Sequence, residues 1–137
     1  PKWLPEKMIM SDPRKWMKSC LDKWSGNHKF GKVEENYLKC FKQPKRIHGS
    51  CEDYRASATI DLDHDREDRK KKLNIPVQVL WGNKGVIGKQ FKPLKIWQRY
   101  TKRKVIGYPI NSGHFIPEQN PKATIKHLTN FFLKKIK

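Results

Sequence analysis

The sequence predicts an α/β fold in which a helical segment precedes two parallel strands and their helices. Residues 1–72 show amphipathic helical patterns without a strand-like run, whereas residues 73–137 alternate short apolar runs with helical patterns. A strand–helix–strand–helix order at this spacing is typical of parallel sheets. We therefore expect a helical part at 1–72, followed by an α/β part at 73–137.

Three helices are expected before residue 61, each with an apolar stripe and a terminal signal. The first begins at Asp12–Pro13 and ends at Ser25–Gly26, the second covers 33–41 and the third covers 45–60. The first stripe contains Trp16, Met17, Cys20, Leu21 and Trp24; the third contains Ile47, Cys51, Tyr54 and Ala58. Residues 61–72 are almost wholly charged, acidic first and basic last, which predicts a solvated helix.

The second part contains two predicted strands. The apolar run 76–82 ends in Gly82 and predicts a buried strand, and 105–110 predicts another; a helix at 93–100 lies between them. Asn120–Pro121 begins a last helix with apolar Ile125, Leu128, Phe131, Phe132 and Ile136. Two strands do not make a stable parallel sheet alone. We therefore expect the missing strands from an upstream part of a longer chain or from another subunit, which keeps a homodimer open.

The composition excludes several classes of protein. No apolar run approaches the roughly 18 residues of a membrane span, so we expect no membrane segment and no membrane partner. Three cysteines do not make a disulfide scaffold, which favours a reducing, cytoplasmic compartment. The net charge is +18, carried mostly by lysines spread along the chain. Since nucleic-acid readers tend to use Arg, the lysines of this basic protein favour a solvated surface over a nucleic-acid partner.

Gly113–His114 lies in the predicted turn between the second strand and the last helix. An α/β-hydrolase presents its catalytic histidine in this way, at the mouth of the sheet. A Gly–His turn on its own is more often structural. Asp61–Asp65 begins like a calcium loop, but Arg66 and Lys72 stand where Gly and Glu are needed. No metal site is predicted.

The string Cys51-Glu52-Asp53-Tyr54-Arg55-Ala56 resembles the cap segment of haloacetate (fluoroacetate) dehalogenases, and the runs 76–82, 93–99 and 112–118 match the same family in order. The chain thus resembles the C-terminal part of such an α/β-hydrolase. This implies a helical cap (lid) segment at 1–72 and the last two parallel core strands with their helices at 73–137. The family's Gly-His-Asp-Arg-Gly nucleophile string does not occur here, and the chain opens without Met, so we expect a fragment.

The resemblance implies hydrolysis of the carbon–halogen bond of a 2-haloacid in two steps, without cofactor or metal. A carboxylate displaces halide to form an Asp ester, and a histidine activates the water that hydrolyses it. His114 matches this base, Tyr54 matches the donor to the leaving halide, and Trp24 matches a pocket wall. The alternatives are packing of a cap helix for Trp24 and a core position for Tyr54.

The family's triad acid lies upstream, and the loop 83–86 after the first strand carries no carboxylate. We therefore expect the chain alone to be inactive. Two alternative functions stay open. One is an epoxide-hydrolase-like activity, which uses the same Asp–His chemistry. The other is a non-enzymatic basic module that binds nucleic acid or anionic surfaces.

Overall fold

A computed structural model describes Pro1 and residues 3–133. The chain forms two compact units. The first comprises Pro1–Lys23 and Lys29–Arg69, and the second comprises Trp24–His28 and the chain from Lys70 onward. The assignment of residues 1–72 as a cap and 73–137 as a hydrolase core stays a prediction. None of the described helices has the length and hydropathy needed to cross a bilayer.

The first unit is helical. Its elements are α1 (Leu4–Ser11), α2 (Pro13–Ser25, whose last two residues group with the second unit), α3 (Lys32–Phe41), α4 (Pro44–Ser57) and α5 (Ile60–Asp68). Ile47 on α4 is fully buried and packs with Ile9 of α1 and with Cys51 one turn further along α4. This cluster forms because α4 places residues four positions apart on one face. Its hydrophobic contacts join α1 to α4.

The helices predicted at 12–25 and 33–41 are confirmed, and the Asp12 carboxylate accepts a hydrogen bond from Lys15 N at 2.9 Å. The third prediction ran too far, because α4 ends at Ser57. The hydroxyls of Ser57 and Thr59 donate to main-chain carbonyls four residues back, each at 2.8 Å. The main-chain N–H groups of Ala58 and Thr59 donate to carbonyls three residues back, at 3.2 and 3.0 Å, which tightens the last turn as the helix ends.

Three further features of this unit differ from the expectation. Helix α1 was not predicted, because its buried face carries a charged residue, Glu6, beside Ile9. The charged helix α5 ends at Asp68 and not at residue 72. The apolar stripe of α4 ends at Cys51, since Tyr54 is 65% exposed.

The second unit contains a parallel pair of strands. Its elements are β1 (Gln78–Gly82), α6 (Val86–Gln90), α7 (Pro93–Trp97), a 3₁₀ turn (Gln98–Tyr100), β2 (Ile106–Ile110), α8 (Ile116–Gln119) and α9 (Pro121–Leu133). Strands β1 and β2 pair in parallel from Gln78 opposite Ile106 to Gly82 opposite Ile110, as predicted. The prediction that β1 is fully buried is wrong for 78–81, which are half-buried. Burial on both faces needs helices across a wider sheet, and the described sheet has two strands.

The last helix begins at Pro121, where the Asn120 side chain accepts a hydrogen bond from Ala123 N at 3.2 Å. Much of its predicted apolar stripe is exposed, including Ile125 at 62% and Phe132 at 75%. Ile136 lies outside the described residues. The apolar pattern therefore predicted the helix correctly, but most of its apolar side chains are exposed in the described part of the chain.

Candidate active site

The His114 loop lies at the carboxyl ends of the two strands. Just beyond β1, Asn83 N donates to Ile110 O at 3.0 Å, and Lys84 N donates to Ser112 O at 3.0 Å. These bonds tie the segment after β1 to the segment after β2. In open α/β sheets this edge is where ligands bind. The sequence-predicted histidine therefore lies at the chemically relevant end of the sheet.

Two glycines allow the backbone to approach closely at this edge. A Cβ on Gly82 would lie 1.7 Å from the carbonyl oxygen of Gly113, closer than real Cβ contacts allow. A Cβ on Gly113 would lie 2.9 Å from Gln119 Oε1 and equally close to the carbonyl oxygens of Trp24 and Ser25. Close backbone approach is a common reason for glycine at a strand end. Glycine at these two positions therefore lets the backbone just before His114 pack against the end of β1 and the end of α2.

Hydrogen bonds fix the loop to the end of α2. His114 N donates to Trp24 O at 3.0 Å. The Gln119 side-chain amide joins the end of α2 to the His114 loop. Its Nε2 donates to Ser25 O at 2.8 Å, and its Oε1 accepts from Phe115 N at 3.1 Å. Sequence reasoning missed Gln119, because its partner lies 94 positions away and no local pattern marks it. Gln119 thus acts as a clamp on the loop that carries the imidazole.

The imidazole of His114 packs against two aromatic rings, which also contact each other. Its centroid lies 5.4 Å from that of Trp24 and 5.0 Å from that of Phe115. His114 also lines a pocket of about 260 Å³ whose walls are mostly apolar, with Trp81, Val86 and Trp97 among them. This volume is slightly below the roughly 300 Å³ at which drug-sized ligand sites begin, and so suits a small substrate.

The pocket contains a histidine but not a complete set of catalytic side chains. None of the described residues that line it is an Asp or a Glu. A histidine beside an apolar wall can accept a proton from water or return one to a product. Covalent hydrolysis also needs a nucleophile and a group that orients the imidazole. The described second unit provides the histidine and the wall.

Trp24 and His114, both predicted site residues, are brought together within the second unit. The Trp24 ring contacts His114 and also stacks on Phe115, at a centroid distance of 6.3 Å. Trp24 is not among the residues that line the pocket described above. Its role as a pocket wall stays a prediction, and its observed contact is with the catalytic candidate.

Tyr54, the third predicted site residue, lies on α4 in the first unit. The alternative that it is a core residue is wrong, since 65% of it is exposed. A tyrosine at a helix surface can present its hydroxyl to a ligand. Its predicted role as a donor to halide stays a prediction.

The same string contains Arg55, which pairs with a buried acid. Arg55 donates to both carboxylate oxygens of Glu6, at 2.7 and 2.8 Å, and to Glu52 at 2.6 Å. The hydrogen bond from Arg55 lowers the pKa of Glu6 to about 2. Fork-to-fork geometry of this kind is the strongest form of ion pair. The pair joins α1 to α4 and explains how a charged residue is buried in α1.

Glu6, His48 and Glu52 form a second cluster that sequence reasoning missed. One potential ligand atom from each lies within 4.8 Å of the others. The imidazole Nδ1 of His48 is 3.4 Å from Glu6, a residue 42 positions away. However, the Arg55 guanidinium already occupies both oxygens of Glu6 and would repel a cation. The cluster is therefore better explained as an ion-pair network than as a metal centre.

Comparisons with known proteins place these features in context. No family model matches the chain. It is 33% identical over 131 residues to a fluoroacetate dehalogenase from Burkholderia sp., covering 93% of this chain and 42% of that protein. A solved protein from Nostoc sp. PCC 7120, assigned as an alpha/beta hydrolase, is 41% identical with a TM-score of 0.93. The alignment covers 98% of this chain and 46% of that one.

A solved protein from Pseudomonas aeruginosa, assigned as an epoxide hydrolase, is 33% identical with a TM-score of 0.85, over 96% of this chain and 45% of that one. The chain spans less than half the length of each of these three proteins. The predicted fold class, the C-terminal portion of an α/β-hydrolase, is confirmed, as is the resemblance to haloacetate dehalogenases.

Proposed function

We propose that this chain contributes the cap and the catalytic histidine to a haloacetate-dehalogenase-like hydrolase. The observation that carries the proposal is the rigid presentation of His114 at the carboxyl ends of two parallel strands, beside a small apolar pocket. The substrate class is a 2-haloacid, which the 33% identity to a fluoroacetate dehalogenase supports.

In the proposed reaction, an Asp outside this chain attacks the carbon that bears the halogen. The carbon–halogen bond breaks, halide leaves with the electron pair, and an Asp ester forms. His114 then takes a proton from water, and the resulting hydroxide attacks the ester carbonyl. The imidazolium of His114 returns its proton to the departing alkoxide, which is released as the 2-hydroxyacid. The Asp carboxyl then loses the remaining water proton to solvent, which restores its carboxylate. His114 is suited to this step because its backbone is fixed and its ring borders the pocket.

Tyr54 is proposed to donate a hydrogen bond to the departing halide. Fluoride is a strong acceptor and a poor leaving group, so a donor aimed at the developing charge lowers the barrier. The exposed phenol of Tyr54 and its position within the Cys51–Ala56 string support this role. We further propose that the chain alone does not turn over, because the described pocket lacks a carboxylate.

The test is a hybrid enzyme. The part of the Burkholderia dehalogenase that aligns with this chain is replaced by residues 1–137, so that the remaining part supplies the groups this chain lacks. The purified chain is expected to release no fluoride from fluoroacetate, as followed with a fluoride electrode, whereas the hybrid is expected to do so. Measurable release by the chain alone would contradict the proposed division of catalytic groups.

The role of His114 is tested in the same hybrid. His114→Asn is expected to release one equivalent of fluoride and then stop, with the substrate retained as an ester that intact-protein mass spectrometry detects. His48→Asn is the matched control, since it removes a histidine of the first unit and should leave turnover unchanged. Full turnover by the folded His114→Asn hybrid would exclude His114 as the base.

Tyr54→Phe in the hybrid is expected to slow fluoride release by about 10²–10³-fold, the usual cost of losing a donor at a developing charge. Tyr37→Phe, which alters another tyrosine of the first unit, serves as the control. An unchanged rate for Tyr54→Phe would assign halide stabilisation elsewhere.

An epoxide hydrolase is the second candidate, and the solved Pseudomonas protein favours it. Both reactions use an Asp ester and a histidine base, and they differ in the group that leaves. If the hybrid opened an epoxide but left fluoroacetate intact, this second assignment would replace the first.

A further inference from the structure

The net charge is divided very unequally between the two units. Residues 1–69 contain 15 basic and 12 acidic residues, whereas residues 70–137 contain 16 basic residues and a single acid, Glu118. The second unit therefore carries +15 of the total charge of +18. A chain that merely favours lysine would not deplete acids in one unit and keep them in the other.

The structure also brings two basic runs of the second unit together. Lys70–Lys72 and Lys102–Lys104 are separated by about 30 positions, yet a parallel bridge joins the residues that border them, Leu73 and Thr101. Leu73 N donates to Tyr100 O at 2.9 Å, and Lys102 N donates to Leu73 O at 2.8 Å. Because the bridge is parallel, the first run ends on one side of it and the second run begins on the other, so that Lys72 and Lys102 lie next to it and the two runs lead away in opposite directions. The fold thus joins end to end, as one elongated basic surface, what the sequence shows only as two separate runs.

Arg99 extends this patch through the 3₁₀ turn. The neighbouring Gln98 side chain donates to Arg103 O and accepts from Val105 N, both at 3.0 Å, which holds the second run against the turn. The basic patch is defined here as the seven exposed cations Lys70, Lys71, Lys72, Arg99, Lys102, Arg103 and Lys104. Like charges held together repel one another, and an anionic partner would relieve that repulsion.

We propose that the basic patch docks on the surface of an anionic lipid bilayer. Apolar side chains are exposed around it, with Leu73 at 44%, Ile75 at 60% and Trp97 at 45%. Leu73 is part of the bridge itself, and the Trp97 ring contacts Tyr100 of the 3₁₀ turn at 6.3 Å. Lysines beside exposed aliphatic and Trp side chains match a charged interface that borders an apolar phase.

Nucleic acid fits the same patch less well. Five of the seven cations are lysines, which lack the planar fork that reads phosphates and bases. Two polar side chains at the patch are used internally, since Gln98 bonds the backbone and Thr101 Oγ1 donates to Leu73 O at 3.1 Å. The groups that remain exposed are charged side chains beside apolar ones, and an anionic lipid surface can bind both kinds.

The seven cations do not belong to the hydrolase site proposed above, since none of them lines the pocket beside His114, although Trp97 lines that pocket and also borders the patch. Vesicle binding is measured without turnover, so failure of either proposal leaves the other standing.

The test is co-sedimentation of the chain with vesicles of phosphatidylcholine alone or mixed with phosphatidylserine. Binding is expected only to the mixed vesicles and to fall as salt is raised. The triple variant Lys102→Gln, Arg103→Gln, Lys104→Gln is expected to bind about 100-fold more weakly, at about fivefold for each charge near the surface. The control variant Lys89→Gln, Lys122→Gln, Lys126→Gln removes the same charge from exposed positions outside the patch. Its vesicle binding should weaken by less than about 10-fold, a tenth of the change expected for the patch variant.

Ile75→Ser separates lipid from other polyanions. It is expected to weaken vesicle binding while leaving unchanged any binding of a single-stranded RNA oligonucleotide. Equal losses for the two triple variants would overturn the patch assignment. Absence of binding to mixed vesicles, or binding to RNA but not to vesicles, would overturn the proposal. Circular dichroism of each variant confirms that its fold is retained.

Discussion

Gly82→Ala should separate the end of β1 from the loop that carries His114. The new Cβ would lie 1.7 Å from Gly113 O, 2.7 Å from Gly113 C and 2.8 Å from Ser112 O. Contacts below 3.0 Å are not tolerated, so the Gly113 carbonyl would have to retreat by 1.3 Å. The opposing atoms are backbone and cannot rotate away. The hydrogen bond from Lys84 N to Ser112 O spans the same gap and would lengthen with it.

The expected cost is about 3 kcal/mol of unfolding free energy, the upper end of the range for overpacking. Urea denaturation followed by circular dichroism measures the loss. Displacement of the loop should also shift the imidazole NMR signals of His114.

Gly49→Ala is the matched control. It lies within α4, and a Cβ there meets nothing within 4 Å. It should stabilise the chain by up to about 1 kcal/mol, the usual gain from Gly to Ala in an exposed helix. A Gly82→Ala stability within about 0.5 kcal/mol of the unmodified chain would refute the close packing at this edge.

Three other predictions follow from named contacts. The unfolding free energy should be constant above about pH 5 and fall as the pH drops toward 2, because the Arg55 hydrogen bond holds the pKa of Glu6 at about 2 against 4.5 for a free Glu. In urea titrations at several pH values, Glu6→Gln should make this fall smaller. Ile47→Ala should cost about 2–5 kcal/mol, because Ile47 is fully buried, as urea denaturation would show. Gln119→Ala should cost about 1–2 kcal/mol and broaden the His114 imidazole resonances, because two backbone partners lose their clamp.

Each of these has a control with similar chemistry. Glu35→Gln breaks a bidentate pair with Arg14 whose side chains are 60% and 58% exposed, so its effect on the acid slope should be smaller. Phe132→Ala and Gln90→Ala alter exposed residues and should change stability by less than about 0.5 kcal/mol. An acid slope that survives Glu6→Gln, or a mild Ile47→Ala, would contradict the corresponding contact. Sharp imidazole signals in Gln119→Ala would show that the loop holds without the clamp.

The predicted elements succeeded where one local pattern decides the structure. Asp12–Pro13 and Asn120–Pro121 begin helices because each capping side chain satisfies a main-chain N–H of the first turn. The prediction failed at the end of α4. The main-chain N–H groups of Ala58 and Thr59 bond to carbonyls three residues back, and the helix ends at Ser57. It also failed where a polar residue is buried by a distant partner, as Glu6 is in α1.

In the candidate site too, the features set by neighbouring residues were predicted and the contacts between distant residues were not. The sequence predicted the position of His114 between a strand and a capped helix, because that order depends on neighbouring residues. It did not show that Gln119 clamps the loop, or that Trp24 packs against the imidazole, since both contacts join residues about 90 positions apart. The periodicity of neighbouring residues does not indicate which distant residues will be in contact.

By itself the sequence determined the helices α2 to α5 and α9, both strands with their parallel pairing, and the histidine turn, because apolar periodicity, Pro and Gly act on the backbone nearby. Only the tertiary structure decided which charges meet. The Arg55 fork closes on Glu6, 49 positions away, and the Leu73–Thr101 bridge brings the ends of two basic runs, 70–72 and 102–104, next to one another. Both depend on packing and hydrogen bonds between segments that become neighbours only when the chain folds.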